Sequence, residues 1–275
     1  MIEIGKYNTL QVDKLVDFGL YLTDGESAIL LPKKWVLRDM LPGKEVKVFV
    51  YKDNEERPIA TTMTPYAEVG QFAFLKVKEI NDFGAFLDWG IEKDIFVPFR
   101  EQGIDMQVGR SYTVFLYIDS ITERVTASAK LQKFLSKEEY DFIEHDAVDI
   151  LVAKKTDLGY EAIINNQFKG LLYDNEIFEP IRVGETRRAY VKKIRPDGKI
   201  DLNLQGKGFG ISADARDILL EKLRANNGFL ALHDGSDPEQ IQAVMNMSKK
   251  AFKKAVGGLY KDKLIEITDK GIQLL

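Results

Sequence analysis

The stretch VGQFAFLKVKEINDFGAFLDWGIEKDIFVPFREQ, residues 69–102, decides the fold of this chain. In its first half Ala73, Leu75 and Val77 alternate with one aromatic residue and two lysines. This alternation is typical of a β-strand with one buried and one solvated face. The chain then turns and continues through Gly84, and a glycine inside a strand indicates a bulge or a sharp bend. A small closed barrel needs such bends at its corners.

The same landmarks occur three times along the chain. An Asp–apolar–Gly triplet stands at residues 17–19, 82–84 and 157–159, and each triplet lies between two strand-like runs. A second glycine then precedes a further β-rich run in each copy, and the separations between the two glycines are 24, 25 and 25 residues. The second glycines are Gly43, Gly109 and Gly184. A fixed internal spacing of this kind predicts tandem structural repeats.

Each repeat has room for five short strands, which is typical of a five-stranded barrel such as the OB-fold. We therefore predict a mostly β, multidomain chain with three tandem OB-fold β-barrels, in residues 1–65, 66–133 and 134–206. The third segment is expected to begin with a charged helical connector, for which Ser136 is a candidate N-cap. The glycine-rich residues 206–210 are expected to form a hinge.

Residues 207–275 change to a helical period. The order helix, strand, helix, helix, hairpin predicts an α+β winged-helix domain. Its last helix follows Ser248 and carries an apolar stripe of Phe252, Val256, Leu259 and Tyr260. Four lysines fall largely outside this stripe: Lys249, Lys250, Lys253 and Lys254. This segment is also the basic end of the chain, with 11 basic and 9 acidic side chains against a net charge of −4 for the whole.

The composition argues against most catalytic and membrane functions. The chain has no cysteine and two histidines, His145 and His233, whose spacing is not that of metal ligands. No phosphate-binding glycine loop is present, and no stretch approaches the roughly 20 apolar residues of a membrane helix. We therefore expect a cytoplasmic protein that is not an enzyme and uses no cofactor or metal. The acidic net charge is a weak argument against nucleic-acid binding, since phosphate favours basic partners.

Repeat two resembles the RNA-binding repeat of the ribosomal protein S-one type, an OB-fold whose hallmark is an Asp-Phe-Gly-Ala-Phe strand. The resemblance covers residues 69–102 and continues through VGRSYTVFLYIDSITERVTASAK. It implies an RNA surface lined by two aromatic residues, an aspartate and an arginine. By position these are Phe83, Phe86, Asp119 and Arg124. The histidine of that surface is replaced by Pro98, and Lys76 is a candidate for its basic rim.

The other two repeats match this surface less closely. In repeat one, Phe18 and Tyr21 take the aromatic positions and Pro32 takes the place of the histidine. Repeat three has Leu158 and Glu161 at the aromatic positions, Tyr173 at the histidine position and Lys199 at the basic one. It also concentrates basic residues at Arg182, Arg187, Arg188, Lys192, Lys193 and Arg195. We expect repeat three to contact phosphates rather than to stack bases.

Two residue-level questions stay open at this stage. Phe83 and Phe86 are three apart, so strict strand alternation puts them on opposite faces unless the chain bends at Gly84. If they share a face they form a stacking platform, and otherwise one of them belongs to the core. Arg124 beside Asp119 is either an ordinary surface ion pair or an RNA contact that the aspartate orients.

The whole layout, three such barrels and a winged helix, resembles the conserved virulence factor B family of bacterial proteins. The SKKAFKKAVGGLYKDKLIEIT stretch, residues 248–268, extends that resemblance beyond the barrels. It implies RNA binding and a regulatory role. From the residues we expect single-stranded RNA as the ligand of the barrel faces, duplex nucleic acid as a further ligand of the winged helix, and the four lysines as phosphate contacts. A winged-helix DNA-binding transcription regulator and a protein-interaction scaffold with degenerate barrels are the alternatives.

Overall fold

A computed structural model describes residues 1–205, 213–245, 247, 249–268 and 270–275. Three closed five-stranded barrels are followed by a helical domain with a three-stranded sheet. The prediction of three OB-type barrels and a C-terminal winged helix is confirmed. The expected hinge at 206–210 and the residue Ser248 lie outside the described residues.

Each barrel has the same strand order, in which the fifth strand lies between the third and the fourth. Barrel one consists of β1 (Lys6–Val16), β2 (Gly19–Thr23), β3 (Ala28–Pro32), β4 (Glu45–Lys52) and β5 (Pro58–Thr61). Barrel two consists of β6 (Phe72–Asn81), β7 (Gly84–Leu87), β8 (Ile95–Pro98), the short helix α1 (Phe99–Gln102), β9 (Ser111–Ile118) and β10 (Val125–Ser128). Barrel three consists of β11 (Ala147–Thr156), β12 (Gly159–Ile164), β13 (Phe168–Tyr173), β14 (Thr186–Ile194) and β15 (Ile200–Asn203).

The two glycines of the repeat have different physical roles. Gly84 begins β7, and a Cβ on it would stand 2.3 Å from the carbonyl oxygen of Val97, so the second and third strands approach too closely for a side chain. Gly109 instead adopts a left-handed φ of 83° and donates its amide to Val77 O at 2.9 Å. The equivalent glycines of barrels one and three make the same contacts. The bulge of each barrel lies in its first strand, directly after the residue that accepts this bond.

Barrels one and two share the hydrophobic core of barrel two, and barrel one has a second core of its own. Phe49 of β4 is fully buried, and its ring meets Trp89 of barrel two edge-on at 5.4 Å and Tyr7 at 5.5 Å. The indole of Trp89 donates to Ala67 O at 2.7 Å. Burial in this cluster raises the pKa of Tyr51 to about 12. The two barrels are therefore one packed body, in which barrel-one side chains complete the core of barrel two.

The connector between barrels two and three is not a helix, so that prediction is wrong. Residues 134–146 contain no α-helix. Tyr140 and Phe142 stack at 5.3 Å and both pack on Phe168 of barrel three, while Phe134 stacks on Phe115 of barrel two at 4.4 Å. Side chains two apart reach the same core in an extended segment and not in a helix. Burial of these aromatic rings overrides the helical preference of the charged residues between them.

Helix α1 of barrel two carries a buried carboxylate. Glu101 accepts hydrogen bonds from Ser128 Oγ at 2.6 Å and from Lys133 Nζ at 2.8 Å. Burial opposes ionisation of Glu101, but the bonds from Lys133 and Ser128 outweigh it and leave the pKa of Glu101 below its usual value.

We expect Glu101→Gln to lower the free energy of unfolding of the first two barrels by about 1–3 kcal/mol at neutral pH. Because the pKa is lower in the folded protein than in the unfolded chain, this stability is present above the unfolded pKa and is lost as the pH falls through the folded value. Urea unfolding at neutral pH and at about pH 3 measures it, with Glu79→Gln on an exposed site as the control. An equal deficit at both pH values would contradict the assignment.

The C-terminal domain consists of α2 (Ala213–Ala225), β16 (Phe229–Leu230), α3 (Pro238–Met245), α4 (Lys249–Lys261), β17 (Ile265–Thr268) and β18 (Gly271–Leu274). Helix α4 buries Phe252, Ala255, Val256 and Leu259. Tyr260 is exposed, so its predicted place in the stripe is wrong: at about 100° per residue it lies roughly 90° from the centre of the buried face. Helix α4 continues through Gly258, where a Cβ would stand 3.2 Å from Arg216. No described helix is long and apolar enough to cross a membrane.

Candidate nucleic-acid interface

A groove of about 530 Å³ runs along barrel two beside the β4–β5 turn of barrel one. The four residues that the resemblance places on the RNA surface of repeat two line it, namely Phe83, Phe86, Asp119 and Arg124. Barrel one contributes Lys52, Asn54 and Glu56 to the same groove. The groove therefore combines an aromatic wall, cationic side chains and residues of two barrels.

The aromatic wall is set by a turn rather than by a bend at Gly84. Phe83 lies in the turn before β7 and is 75% exposed, whereas Phe86 is half-buried inside the strand. Asn81 Oδ1 accepts from the Phe83 amide at 2.9 Å and fixes that turn. Because Phe83 precedes the strand, alternation does not send it to the opposite face. Phe86 packs on Phe96 with ring centroids 5.1 Å apart, which gives the wall a second aromatic layer.

Pro98 occupies the position expected for histidine. It lies directly opposite Gly84 in the pairing of β7 with β8 and ends β8 where α1 begins. In barrel one Pro32 lies opposite Gly19 in the same way, and in barrel three Tyr173 lies opposite Gly159. A proline there offers the groove an apolar edge without a hydrogen-bond donor.

The expected Asp119–Arg124 side-chain pair does not form. Asp119 accepts from the Thr122 amide at 2.9 Å, which holds the pKa of Asp119 below its usual value, and it pairs with Arg100 at 3.5 Å. Arg124 Nε instead lies 3.2 Å from Glu56 Oε1 of barrel one. The aspartate shapes the β9–β10 loop, since its carboxylate binds amides two and three residues ahead. Arg124 is thus oriented by the other barrel.

Repeat-by-repeat comparison could not reveal this contribution of barrel one. Lys93 of barrel two donates to Asp53 O at 2.6 Å and lies 3.4 Å from Glu56, and Lys52 donates to Glu123 O at 3.1 Å. These contacts join residues of different repeats, so no motif within a repeat encodes them. Lys76 is exposed on β6 and does not line the groove.

Barrel one repeats the aromatic arrangement on a smaller scale. Phe18 lies in the turn before β2 and is exposed, and Tyr21 is half-buried, with the two rings edge-on at 6.4 Å. Lys14 stands 5.3 Å from the centre of the Tyr21 ring. This face therefore offers the exposed ring of Phe18 and, next to it, the Tyr21 ring with a lysine over it.

Barrel three has other side chains at the two positions that form this aromatic wall. Exposed Leu158 takes the turn position, and Glu161 pairs with Lys169 at 2.6 Å. The Arg195 guanidinium donates a hydrogen bond to the Tyr173 hydroxyl, and its Nε lies 2.9 Å from Asp201 Oδ2. Lys199 pairs with Asp197 at 2.9 Å.

Much of the basic cluster predicted for repeat three is already paired with carboxylates. The ion-paired members are Arg187, Arg188, Lys192 and Arg195. Such pairing reduces the charge available to phosphate.

Helix α4 presents the basic face of the winged helix. Lys250, Lys253 and Lys254 are exposed on the side opposite the buried stripe, and within the described part of the chain they form no ion pair. Lys249 is half-buried and its Nζ lies 3.5 Å from Gly235 O. Three of the four predicted lysines are therefore open to an anionic ligand.

Comparison with known proteins gives matches along the chain. The S1 domain model matches residues 4–63 and 69–130, and the CvfB-like winged helix domain model matches residues 217–274. The protein YitL of Bacillus subtilis (strain 168) is 30% identical over 271 residues, covering 94% of this chain and 89% of YitL. Conserved virulence factor B of Staphylococcus aureus (strain N315) is 24% identical over 239 residues, covering 84% of this chain and 80% of that protein. A multidomain protein with nucleic acid binding domains from Streptococcus pneumoniae, known as a crystal structure, aligns over 99% of this chain and 98% of its own, with a TM-score of 0.45 and 25% identity.

Proposed function

The chain belongs to the conserved virulence factor B family, and from that membership we propose that it is a non-catalytic protein that binds single-stranded RNA through the groove of barrel two and acts in gene regulation. Its S1-type barrels and winged helix are nucleic-acid-binding folds. The single observation that carries the proposal is that the exposed ring of Phe83 lines one groove together with Phe86, Arg100 and Arg124.

The chemistry of this groove favours unpaired bases. An exposed aromatic ring stacks on a base of any sequence and contributes about 1–3 kcal/mol per base. The guanidinium groups of Arg100 and Arg124 carry planar donors that match phosphate oxygens. Bases in a duplex are already stacked on each other, so a platform of this kind selects single strands.

The other elements of the chain add weaker contacts to the same RNA strand. Phe18 and Tyr21 supply a second, smaller stacking site, and the lysines of α4 supply charge. Lysine lacks the fork geometry that reads guanine, so α4 contributes phosphate contacts rather than sequence-specific reading of DNA. Several weak sites on one chain raise the effective local concentration of each other, so that modest barrels together bind usefully.

A titration of the full chain tests the proposal. An unstructured RNA, the single-stranded DNA of the same sequence and the corresponding duplex DNA are each titrated at several salt concentrations. We expect the single strands to bind more tightly than the duplex. A preference for duplex DNA favours a winged-helix DNA regulator, and absence of binding at low salt favours a protein-interaction scaffold.

The lysines of α4 are tested by the salt dependence of RNA binding. Changing Lys249, Lys250, Lys253 and Lys254 to alanine should flatten the plot of log K against log salt by about 0.7 for each lysine that contacts a phosphate. The three exposed lysines should account for most of this change. The control changes four other exposed lysines, Lys44, Lys137, Lys154 and Lys222, for the same loss of charge. An equal change of slope in both variants would show that α4 has no special contact.

A further inference from the structure

One carboxylate of barrel one occupies the cationic side of the groove. Glu56 lies in the β4–β5 turn with a left-handed φ of 63°, and its side chain reaches Arg124 of barrel two. Its Oε1 is 3.2 Å from Arg124 Nε and 3.4 Å from Lys93 Nζ. All three side chains line the groove, and Arg124 remains 60% exposed. Two of the groove's cations therefore share one acidic partner from the neighbouring barrel.

A phosphate group would compete directly with the Glu56 carboxylate for Arg124 and Lys93. Guanidinium and ammonium groups bind carboxylate and phosphate oxygens through the same donors, and the phosphate of a nucleic acid carries a full negative charge. A base stacked on Phe83 and Phe86 would bring its own phosphates to this side of the groove, because the aromatic wall and Arg124 line the same cavity. The Arg124 side of the ion pair with Glu56 is exposed to solvent, so the pair is weakly held and exchangeable.

Glu56 is not needed to hold the two barrels together. Fully buried Phe49 and its contact with Trp89 already join them through the shared core. Lys52 and Lys93 also reach backbone carbonyls across the seam, and neither bond uses the Glu56 carboxylate. The acidic side chain therefore has a local effect on the groove rather than a structural one on the assembly.

We propose that the groove is a nucleotide site shared by two barrels, in which a phosphate of single-stranded RNA displaces the Glu56 carboxylate from Arg124 and Lys93. This inference rests on the proposed function. Glu56 acts as an internal competitor that lowers the affinity of the site, and barrel one thereby sets how tightly barrel two holds RNA. Barrel one also contributes Lys52 and Asn54 to the lining, so the site is incomplete without it.

Binding of an unstructured oligouridylate RNA to full-length variants tests this inference. We expect Glu56→Gln to tighten binding by roughly 3- to 10-fold and to steepen the salt dependence by about 0.7 for each additional phosphate that the site binds. Glu55→Gln is the matched control, because it makes the same charge change on the adjacent residue, whose partner is Arg57 and which does not line the groove. Glu56→Asp keeps the charge and suits the left-handed backbone, and its shorter side chain should also tighten binding.

A double variant separates competition from a loosened seam. In an Arg124→Gln background the improvement from Glu56→Gln should be largely lost, because the released cation is missing. Equal effects of Glu56→Gln and Glu55→Gln, or weaker binding by both Glu56 variants, would overturn the inference while Phe83→Ala still tests the proposed function. A wild-type chain that binds no single-stranded RNA would overturn both.

Discussion

Replacing Phe83 and Phe86 with alanine should weaken binding of unstructured RNA by roughly 30- to 1,000-fold, which corresponds to about 2–4 kcal/mol for two lost stacking partners. The reason lies in their environment. Phe83 is 75% exposed in a turn and contributes little to the core, so its ring is free to take a base. Phe86 lines the same groove from inside the strand and packs on Phe96.

The single variant Phe83→Ala isolates the stacking contribution, because the exposed ring can be removed without opening a cavity in the core. Phe99→Ala is its matched control, since Phe99 is also an exposed phenylalanine of barrel two but does not line the groove. Binding is measured by fluorescence anisotropy of a labelled RNA at fixed salt. Equal losses in the two variants, or no loss with Phe83→Ala, would refute the platform.

The second large effect concerns stability. Phe49→Ala should lower the free energy of unfolding of the first two barrels by about 3–5 kcal/mol, because it removes a fully buried ring and leaves a cavity beside Trp89. The shared core predicts that both barrels lose stability together in one transition. A barrel that unfolded alone would leave the other half of this core exposed to water.

Tryptophan fluorescence reports this transition selectively. The chain has two tryptophans, Trp35 in barrel one and Trp89 in barrel two, so the signal of urea unfolding comes from the first two barrels. Phe168→Ala is the control, since Phe168 is a buried phenylalanine of barrel three that also contacts two aromatic rings. It should leave the tryptophan transition unchanged. Two separate tryptophan transitions in the wild type would contradict the shared core.

Local pattern carried much of the fold from the sequence alone. The alternation around Leu75 and the recurring glycines predicted strands and barrels because both record constraints that act within a few residues or between paired strands. Gly84 marks a close backbone approach and Gly109 a left-handed turn, and neither place accepts an ordinary side chain at low cost. The spacing of these glycines therefore reflects barrel geometry directly.

The features that the sequence did not predict have a common physical origin in tertiary contacts. The segment 134–146 has charged, helix-compatible residues, but the packing of Tyr140 and Phe142 in barrel three leaves it without a helix. Asp119 and Arg124 are close in sequence, yet the carboxylate turns to the amides of its own loop and the guanidinium to Glu56. The four site residues of repeat two were predicted because they follow a repeat motif, whereas the partners across the seam follow none.

The seam between barrels one and two limits how this chain can be divided. A fragment that begins after the predicted boundary at residue 65 would lack Phe49. Trp89 and its neighbours, which pack against Phe49 in the whole chain, would then be exposed to water. The smallest unit that keeps this core complete is therefore the pair of barrels one and two, and not the single repeat that the sequence periodicity indicates. Exchange of one of these two barrels for a barrel from a different chain would have to bring a matching neighbour with it.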